Sequence, residues 1–391
     1  MTTHFDGDPQ PIRWLRAVPP ETTRTAAREI ADAARARAHR LVQDHPRLAA
    51  RLARALSQQL RVRASEYHLT HACNIRCKGC WFFEAGMDKA TKELADLDRL
   101  DDFVATQVAQ RHINTALVIG GEPTLVPQRL AVFVRHMRNV TIATNGLKPL
   151  PREGFEKVSI ALSVWGGGPL DDELRAIKPN GATFSGLFDE ALRNYRNDPR
   201  ALVLLTVSRQ GVAYIEETVR KAERHGLPVQ FGLYSGDSTP DAPGASDALL
   251  DEMLYVRDRY PGTVISHPAY IEALVTGRTA WGEFGYASCP SVSRDHPAHA
   301  QRRANGNPTL GLFNAYAADL QTVNFCCTSG RCDGCRDSQA ISSWMLVNLH
   351  HYTASLAKLR EWIELAECFW SQYSWSVYRT ARTPTEEIAH A

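Results

Sequence analysis

The sequence predicts an α/β fold: a partial barrel of six strands and their helices, preceded by helices and followed by a small β-hairpin and helical domain. Three observations carry this. Between residues 64 and 245, short apolar runs alternate with amphipathic stretches. Residues 20–62 are rich in Ala, Arg and Leu at helical spacing. A second cysteine group near the C-terminus brackets a stretch patterned as a hairpin.

The elements follow in order. TAAREIADAARARAHRLVQ and PRLAARLARALSQQLRV read as two helices separated at Pro46. Their arginines fit a solvated helix face better than a binding surface. The strand candidates are SEYHLTHA, NTALVIGG, NVTIATNG, KVSIALSVWG, ALVLLTVS and PVQFGLYSG. Between them lie LDDFVATQVAQRH, PQRLAVFVRHM, TFSGLFDEALRNYRND and YIEETVRKAERHG. Such alternation implies right-handed crossovers and a parallel sheet, with ligands at the C-terminal ends of its strands. GLFNAYAADLQTVNFCC reads as a hairpin turning near Ala318 and Asp319. The expected divisions are an N-terminal helical extension (1–63), the barrel (64–245), a linker with the cysteine-bearing hairpin domain (246–345) and closing helices (346–391).

Composition narrows the class. The chain has 391 residues, 44% hydrophobic and 23% charged, with a formal net charge of +2. That is ordinary for a soluble globular protein and gives no reason to expect nucleic acid. MTTHFDGDPQ lacks the order of a signal peptide, and no apolar run reaches membrane-spanning length. The expected location is the cytoplasm, where nine cysteines suggest metal or redox chemistry before disulfides.

The cysteines fall into groups. Cys73, Cys77 and Cys80 follow the first strand in HACNIRCKGCWF, spaced Cys-x3-Cys-x2-Cys. Cubane clusters normally take four thiolates, so three leave one iron open to a ligand. Zinc would need a fourth ligand nearby, such as His71. Gly120, Gly121, Glu122 and Pro123 follow the second strand. Two glycines allow a close backbone approach, and a carboxylate complements an amine.

The cysteine spacing and this GGEP loop together resemble the radical S-adenosylmethionine (SAM) enzymes. The resemblance covers roughly residues 64–240. It implies a [4Fe–4S] cluster on Cys73, Cys77 and Cys80, with SAM chelating the open iron. Reduction would cleave SAM to methionine and a 5′-deoxyadenosyl radical, with electrons from a flavodoxin- or ferredoxin-type donor. It also implies SAM contacts from Gly120, Gly121, Glu122 and Pro123, from Thr144 and Asn145, from Ser163, from Arg175 with Asp172, and from Ser208 beside Arg209. Many family members carry an aromatic before the third cysteine, but here that position is Gly79. Trp81, Phe82 and Phe83 follow, either replacing that contact or packing the core.

Cys289, the hairpin, and Cys332-x2-Cys335 resemble the twitch domain, a short relative of the SPASM domain. This implies an auxiliary [4Fe–4S] cluster on Cys289, Cys332, Cys335 and either Cys326 or Cys327. Alternation sends the last two to opposite strand faces, and register with the family's hairpin favours Cys326. A structural zinc site is the alternative. Cys368 is either a core thiol or a hydrogen-atom donor to a substrate radical.

The expected reaction is hydrogen abstraction from a small molecule leading to oxidation, epimerisation or rearrangement, in natural-product biosynthesis. The auxiliary cluster would carry the electron. The helical N-terminus lacks a peptide-recognition domain, which favours a small molecule over a peptide-modifying maturase. Adenosyl addition to an alkene and a non-enzymatic iron–sulfur carrier are the remaining readings.

Overall fold

The computed structural model describes residues 20–234, 247–326, 330, 332 and 334–379, with side chains from residue 29 onward. The chain opens with α1 (Pro20–Leu41) and α2 (Pro46–Arg61), then β1 (Ala64–His68), α3 (Trp81–Glu84), α4 (Met87–Ala90) and α5 (Leu97–Arg111). Next come β2 (Thr115–Ile119), α6 (Pro127–His136), β3 (Asn139–Thr144), β4 (Val158–Trp165), α7 (Gly168–Arg175) and α8 (Leu187–Asn194). They are followed by β5 (Ala201–Val207), α9 (Ile215–Arg224), β6 (Val229–Leu233), α10 (Ala248–Arg259) and α11 (Pro268–Thr276). A short ribbon of β7 (Arg278–Thr279) and β8 (Gly282–Glu283) precedes α12 (Pro297–Ala304). The described chain ends with β9 (Ala315–Tyr316), β10 (Val323–Asn324), α13 (Ser338–Val347) and α14 (Leu356–Ser371).

All six strand candidates form, and they pair in parallel in chain order from β1 to β6. The sheet does not close, so the barrel is partial. The hairpin forms as expected, but it does not stand apart. Its β9 pairs parallel to β1, extending the sheet to the order β10-β9-β1-β2-β3-β4-β5-β6. Asp319 makes its turn by accepting from Gln321 N and Thr322 N at 3.0 and 2.9 Å. The stretch read as a linker contains α10, α11 and α12.

Strand alternation sets the two faces. Val118, Ile142, Ile160, Leu162, Val203 and Leu205 are buried under the helices. Their neighbours Leu117, Thr141, Ala143, Ala161, Ser163, Leu204 and Thr206 are only partly covered and line the lumen. Helix signals agree with position. Asp96 caps α5, accepting from Asp98 N and Arg99 N, both at 3.0 Å. Pro46 begins α2, which buries Leu48, Leu52 and Ala55 on one face. The segment after α14 packs onto the lumen face of β3 and β4. There Trp375 Nε1 donates to Thr141 Oγ1 at 3.0 Å, and Ser374 N donates to Ser159 Oγ at 3.0 Å.

Candidate active site

The loop of Cys73, Cys77 and Cys80 leaves β1 at the sheet's C-terminal edge. Backbone bonds fix it on two sides. Gly121 N donates to Thr70 O at 2.7 Å and Glu122 N to Ala72 O at 2.8 Å, so the β1–β2 pairing continues beyond the strands. Arg76 N and Lys78 N donate to Ile177 O and Leu174 O, each at 2.7 Å, tying the loop to the end of α7. Arg76 Nη1 also donates to Cys73 O and Ile75 O, both at 3.0 Å, and its guanidinium lies 4.2 Å from the Phe83 ring centroid.

The two glycines have a clear steric reason. A Cβ at Gly120 would lie 2.7 Å from Thr70 O, and one at Gly121 would lie 2.1 Å from Ala72 O. The close approach they permit is to the backbone of the cysteine loop itself. Glu122 is 1% exposed. Its Oε1 accepts from Thr124 N (3.0 Å), Thr124 Oγ1 (2.8 Å) and Thr144 Oγ1 (2.8 Å), and its Oε2 accepts from Asn145 N (2.8 Å). Burial pushes its carboxyl up, while these donors oppose the shift. Glu122 thus joins the ends of β2 and β3, and Pro123 opens the 3₁₀ turn that it caps. Asn145 Nδ2 donates to Asn74 Oδ1 at 2.7 Å, which brings the end of β3 onto the cysteine loop.

Arg175 is 2% exposed. It donates to the Ser163 carbonyl and pairs with Asp171 at 3.1 Å. Burial works against its charge, but Asp171 and the neighbouring Cys77 thiol raise its pKa. Asp172 faces elsewhere, accepting from Gly186 N and Leu187 N at 2.7 and 3.0 Å to start α8. Ser208 accepts from Gly211 N at 3.1 Å, and Arg209 pairs with Asp247 at 2.9 Å. The structure therefore gathers the three cysteines, Gly120 to Pro123, Thr144, Asn145, Ser163 and Arg175 along one edge, while Ser208 serves as a cap at the end of β5.

Tyr234, just beyond β6, was not singled out from the sequence. Gly79 has φ +74, and a Cβ there would lie 2.1 Å from Tyr234 Oη. An aromatic at position 79 has no room because Tyr234 fills the place. Its ring meets Trp165 with centroids 5.6 Å apart. Phe82 is buried and belongs to the core; Trp81 and Phe83 are partly exposed. The signal for Tyr234 was its position one residue past an apolar strand, at the ligand edge of the sheet.

The second cysteine group lies at the other edge. Because β10 runs antiparallel to β9, Cys326 falls at the N-terminal end of β1. Cys289, Cys326, Cys332 and Cys335 line one small cavity, together with Phe284, Tyr286 and Arg302. Cys327 lies outside the described residues. Gly330 N donates to Cys326 Sγ at 3.2 Å. Arg302 is 1% exposed and holds the backbone carbonyls of Tyr286 and Cys289. Burial pushes the Cys289 thiol up to about 12, with Cys335 and Cys326 adding to the shift and Arg302 opposing it. Cys368 is on α14, which packs on α2 and α13. The structure does not bring it to the edge that carries Cys73.

These residues pass a simple test of fit for the implied clusters. Burial pushes the Cys73 thiol up to about 12, with Cys77 and Cys80 raising it further. Three thiols on one loop, and four lining one small cavity, are the soft donors that an iron–sulfur cluster takes. Among the described residues, no three His, Cys, Asp or Glu side chains form a group fitted to a single metal ion. No helix among them is long and apolar enough to cross a membrane.

No protein-family model and no curated protein matches this chain. Similar solved structures include native anSMEcpe with bound AdoMet and the Cp18Cys peptide. That match has 13% identity and TM-score 0.45, covering 74% of this chain and 81% of that one. Another is the FeFe-hydrogenase maturase HydG from Carboxydothermus hydrogenoformans. Here identity is 10% and TM-score 0.34, covering 90% and 94% of the two chains.

Proposed function

We propose that this chain is a radical SAM enzyme acting on a small molecule. The observation that carries the proposal is the three-cysteine loop after β1, whose lead-in accepts at Thr70 O and Ala72 O from Gly121 N and Glu122 N of the Gly-Gly-Glu turn after β2. Cys73, Cys77 and Cys80 would hold a [4Fe–4S] cluster, and Gly120 to Pro123, Thr144, Asn145, Ser163 and Arg175 would border the SAM site. When bound, that pair supplies one-electron chemistry able to remove hydrogen from an unactivated carbon.

The chain's own part is positioning and exclusion of water. Glu122 fixes the β2 and β3 turns, Arg175 carries buried positive charge beside Cys77, and Trp375 is anchored to Thr141 on the lumen face of β3. Cys289, Cys326, Cys332 and Cys335 would hold the auxiliary cluster, with the buried Arg302 offsetting its negative thiolates. The lumen lies between the two cysteine groups, which suits substrate oxidation, epimerisation or rearrangement with electron exchange. Gly79 has its own steric reason in Tyr234, so it does not argue for alkene addition.

The test is anaerobic incubation of reconstituted protein with SAM and dithionite. Release of 5′-deoxyadenosine is expected. An adenosyl adduct in its place would mean addition, and no SAM binding or cleavage would leave only a carrier.

A further inference from the structure

A large cavity of about 1510 Å³ lies away from the edge that carries Cys73. The first residues of β1 and β2, helices α1 and α2, α12 with the loop behind it, α13 and α14 all contribute to its wall. Helix α1 covers it by packing on α12 and α14. No residue placed on the SAM edge borders it. Most of the wall is apolar or aromatic, as at Leu56, Phe313, Leu346, Leu349 and Trp370. Ile30 and Leu60 also line it and are 51% and 65% exposed, which puts apolar surface at its opening.

Four arginines line the same cavity. Arg35 pairs with Asp32 at 2.7 Å. Arg63, Arg294 and Arg303 are exposed, and among the described residues none of these three side chains has a hydrogen-bond or ion-pair partner. The cavity's exposed acid does not answer them, because Asp295 is held by Arg111 at 2.5 Å and by Asn314 Nδ2 at 2.9 Å. Asp337 is taken up as the cap of α13, accepting from Ala340 N at 2.8 Å, and Glu66 is buried in the β1 wall beside His68. Backbone pairing brings the arginines to one region. Arg294 N donates to Phe313 O and Glu66 N to Asn314 O, both at 2.8 Å, so Arg294 and Arg63 flank the start of the β1–β9 pair. Burial lowers the pKa of His299 on α12, and the charges of Arg303 and Arg294 lower it further, so both guanidiniums lie near that ring.

Like charges gathered without counterions raise the local potential and favour an anion. Guanidinium forks bind carboxylate and phosphate through paired N–H donors. A carboxylate brings one charge and two oxygens. A phosphate monoester brings between one and two charges and three acceptor oxygens, the better match to three cations. Inorganic phosphate alone would leave the apolar wall bare. We propose that this cavity is a second ligand site, which binds a free amphipathic phosphate with its head on Arg63, Arg294 and Arg303 and its apolar chain along the buried wall. The exposed arginines keep the charged head partly in water, and the chain gains by leaving it. Enclosure by several elements suits a single chain taken from solution, not the face of a bilayer. Ser291 and Asp337 line both this cavity and the pocket of the second cysteine group, so the bound chain lies beside that group.

The test is calorimetric titration of the full chain, anaerobically reconstituted, with three probes. These are n-dodecyl phosphate below its micellar concentration, 1-dodecanol as the chain without the head, and inorganic phosphate as the head without the chain. Saturable binding of dodecyl phosphate is expected, about tenfold or more tighter than either partial probe. Changing Arg294 and Arg303 together to Gln should weaken dodecyl phosphate about tenfold or more and leave dodecanol as it was. Retained dodecanol binding shows that the variant is folded. Ile30→Gln with Leu60→Gln should weaken dodecyl phosphate and dodecanol alike, and because both positions are exposed the melting temperature should hold. Dodecanol binding as tightly as dodecyl phosphate would remove the head from the assignment, and inorganic phosphate doing so would remove the chain; either result overturns it. It is also overturned if dodecyl phosphate does not bind, or if the arginine variant binds it as the unmutated chain does. Co-sedimentation with phosphatidylglycerol vesicles, lost in the same variants, without binding of monomeric dodecyl phosphate would make this a membrane surface and refute the free ligand.

Discussion

At the scale of single residues, the cysteine triad and Glu122 make different demands on an experiment. Cys73→Ala, Cys77→Ala and Cys80→Ala should each abolish SAM cleavage, because a cubane with only two protein thiolates is not held. A triple variant that still forms 5′-deoxyadenosine would remove the triad from the chemistry. Glu122→Gln puts an amide NH2 where chain donors now point, since both carboxylate oxygens accept from Thr124, Thr144 or Asn145. At least one of those donors would then face another donor. A hydrogen bond to a charged group contributes about 1.5–3 kcal/mol, so the melting temperature should drop by several degrees and SAM affinity should fall with it. Unchanged values of both would mean that Glu122 supports neither the turns nor the ligand. These residues were legible because their spacing lies within a single short stretch. Tyr234 was not, because its meaning depends on strand register and on which face its side chain takes.

At the scale of elements, the joined turns of β1 and β2 give a sharp expectation. Gly121→Ala would set a Cβ 2.1 Å from the Ala72 carbonyl oxygen, a backbone atom that cannot swing aside. The turns must separate, breaking the 2.8 Å bond from Glu122 N to Ala72 O. A loss of about 2–4 kcal/mol in stability is expected from denaturant midpoints, together with loss of SAM binding. Ordinary stability in this variant would contradict the geometry. Helix α11 offers a pH test. His267 caps it by accepting from Ala269 N at 3.2 Å, and burial lowers its pKa to about 4. The unfolded chain then binds more protons between the ordinary value of about 6.5 and about 4. Stability is therefore full above that window and is lost as pH falls through it, by up to about 3 kcal/mol. His267→Asn should flatten that part of the profile, and an identical slope would refute the assignment. The barrel strands and helices were legible from alternation. Helices α10 to α12 were not, since α11 is apolar almost all round (PAYIEALVT) and α12 is short and polar (PAHAQRRA), leaving little helical period to see.

At the scale of the whole molecule, the hairpin is what sequence reasoning placed least well, because edge pairing with β1 is a long-range event. Local pattern showed that β9 and β10 turn back on each other, but not that they extend the barrel sheet. That pairing carries Cys326 to the N-terminal edge, while β1 carries Cys73, Cys77 and Cys80 to the C-terminal edge. One lumen then has a cysteine group at each end, an arrangement suited to a substrate that loses hydrogen at one end and exchanges an electron at the other. The metal count decides whether the second group takes part. Two cubane clusters give about eight irons per chain after anaerobic reconstitution. A zinc site in the second group gives about four irons and one zinc. With two clusters, changing Cys332 and Cys335 together to Ala should lower iron toward about four, and SAM should still be cleaved without conversion of substrate. Stoichiometric zinc with about four irons in the unmutated protein would remove the second cluster, and with it the electron exchange proposed for this lumen.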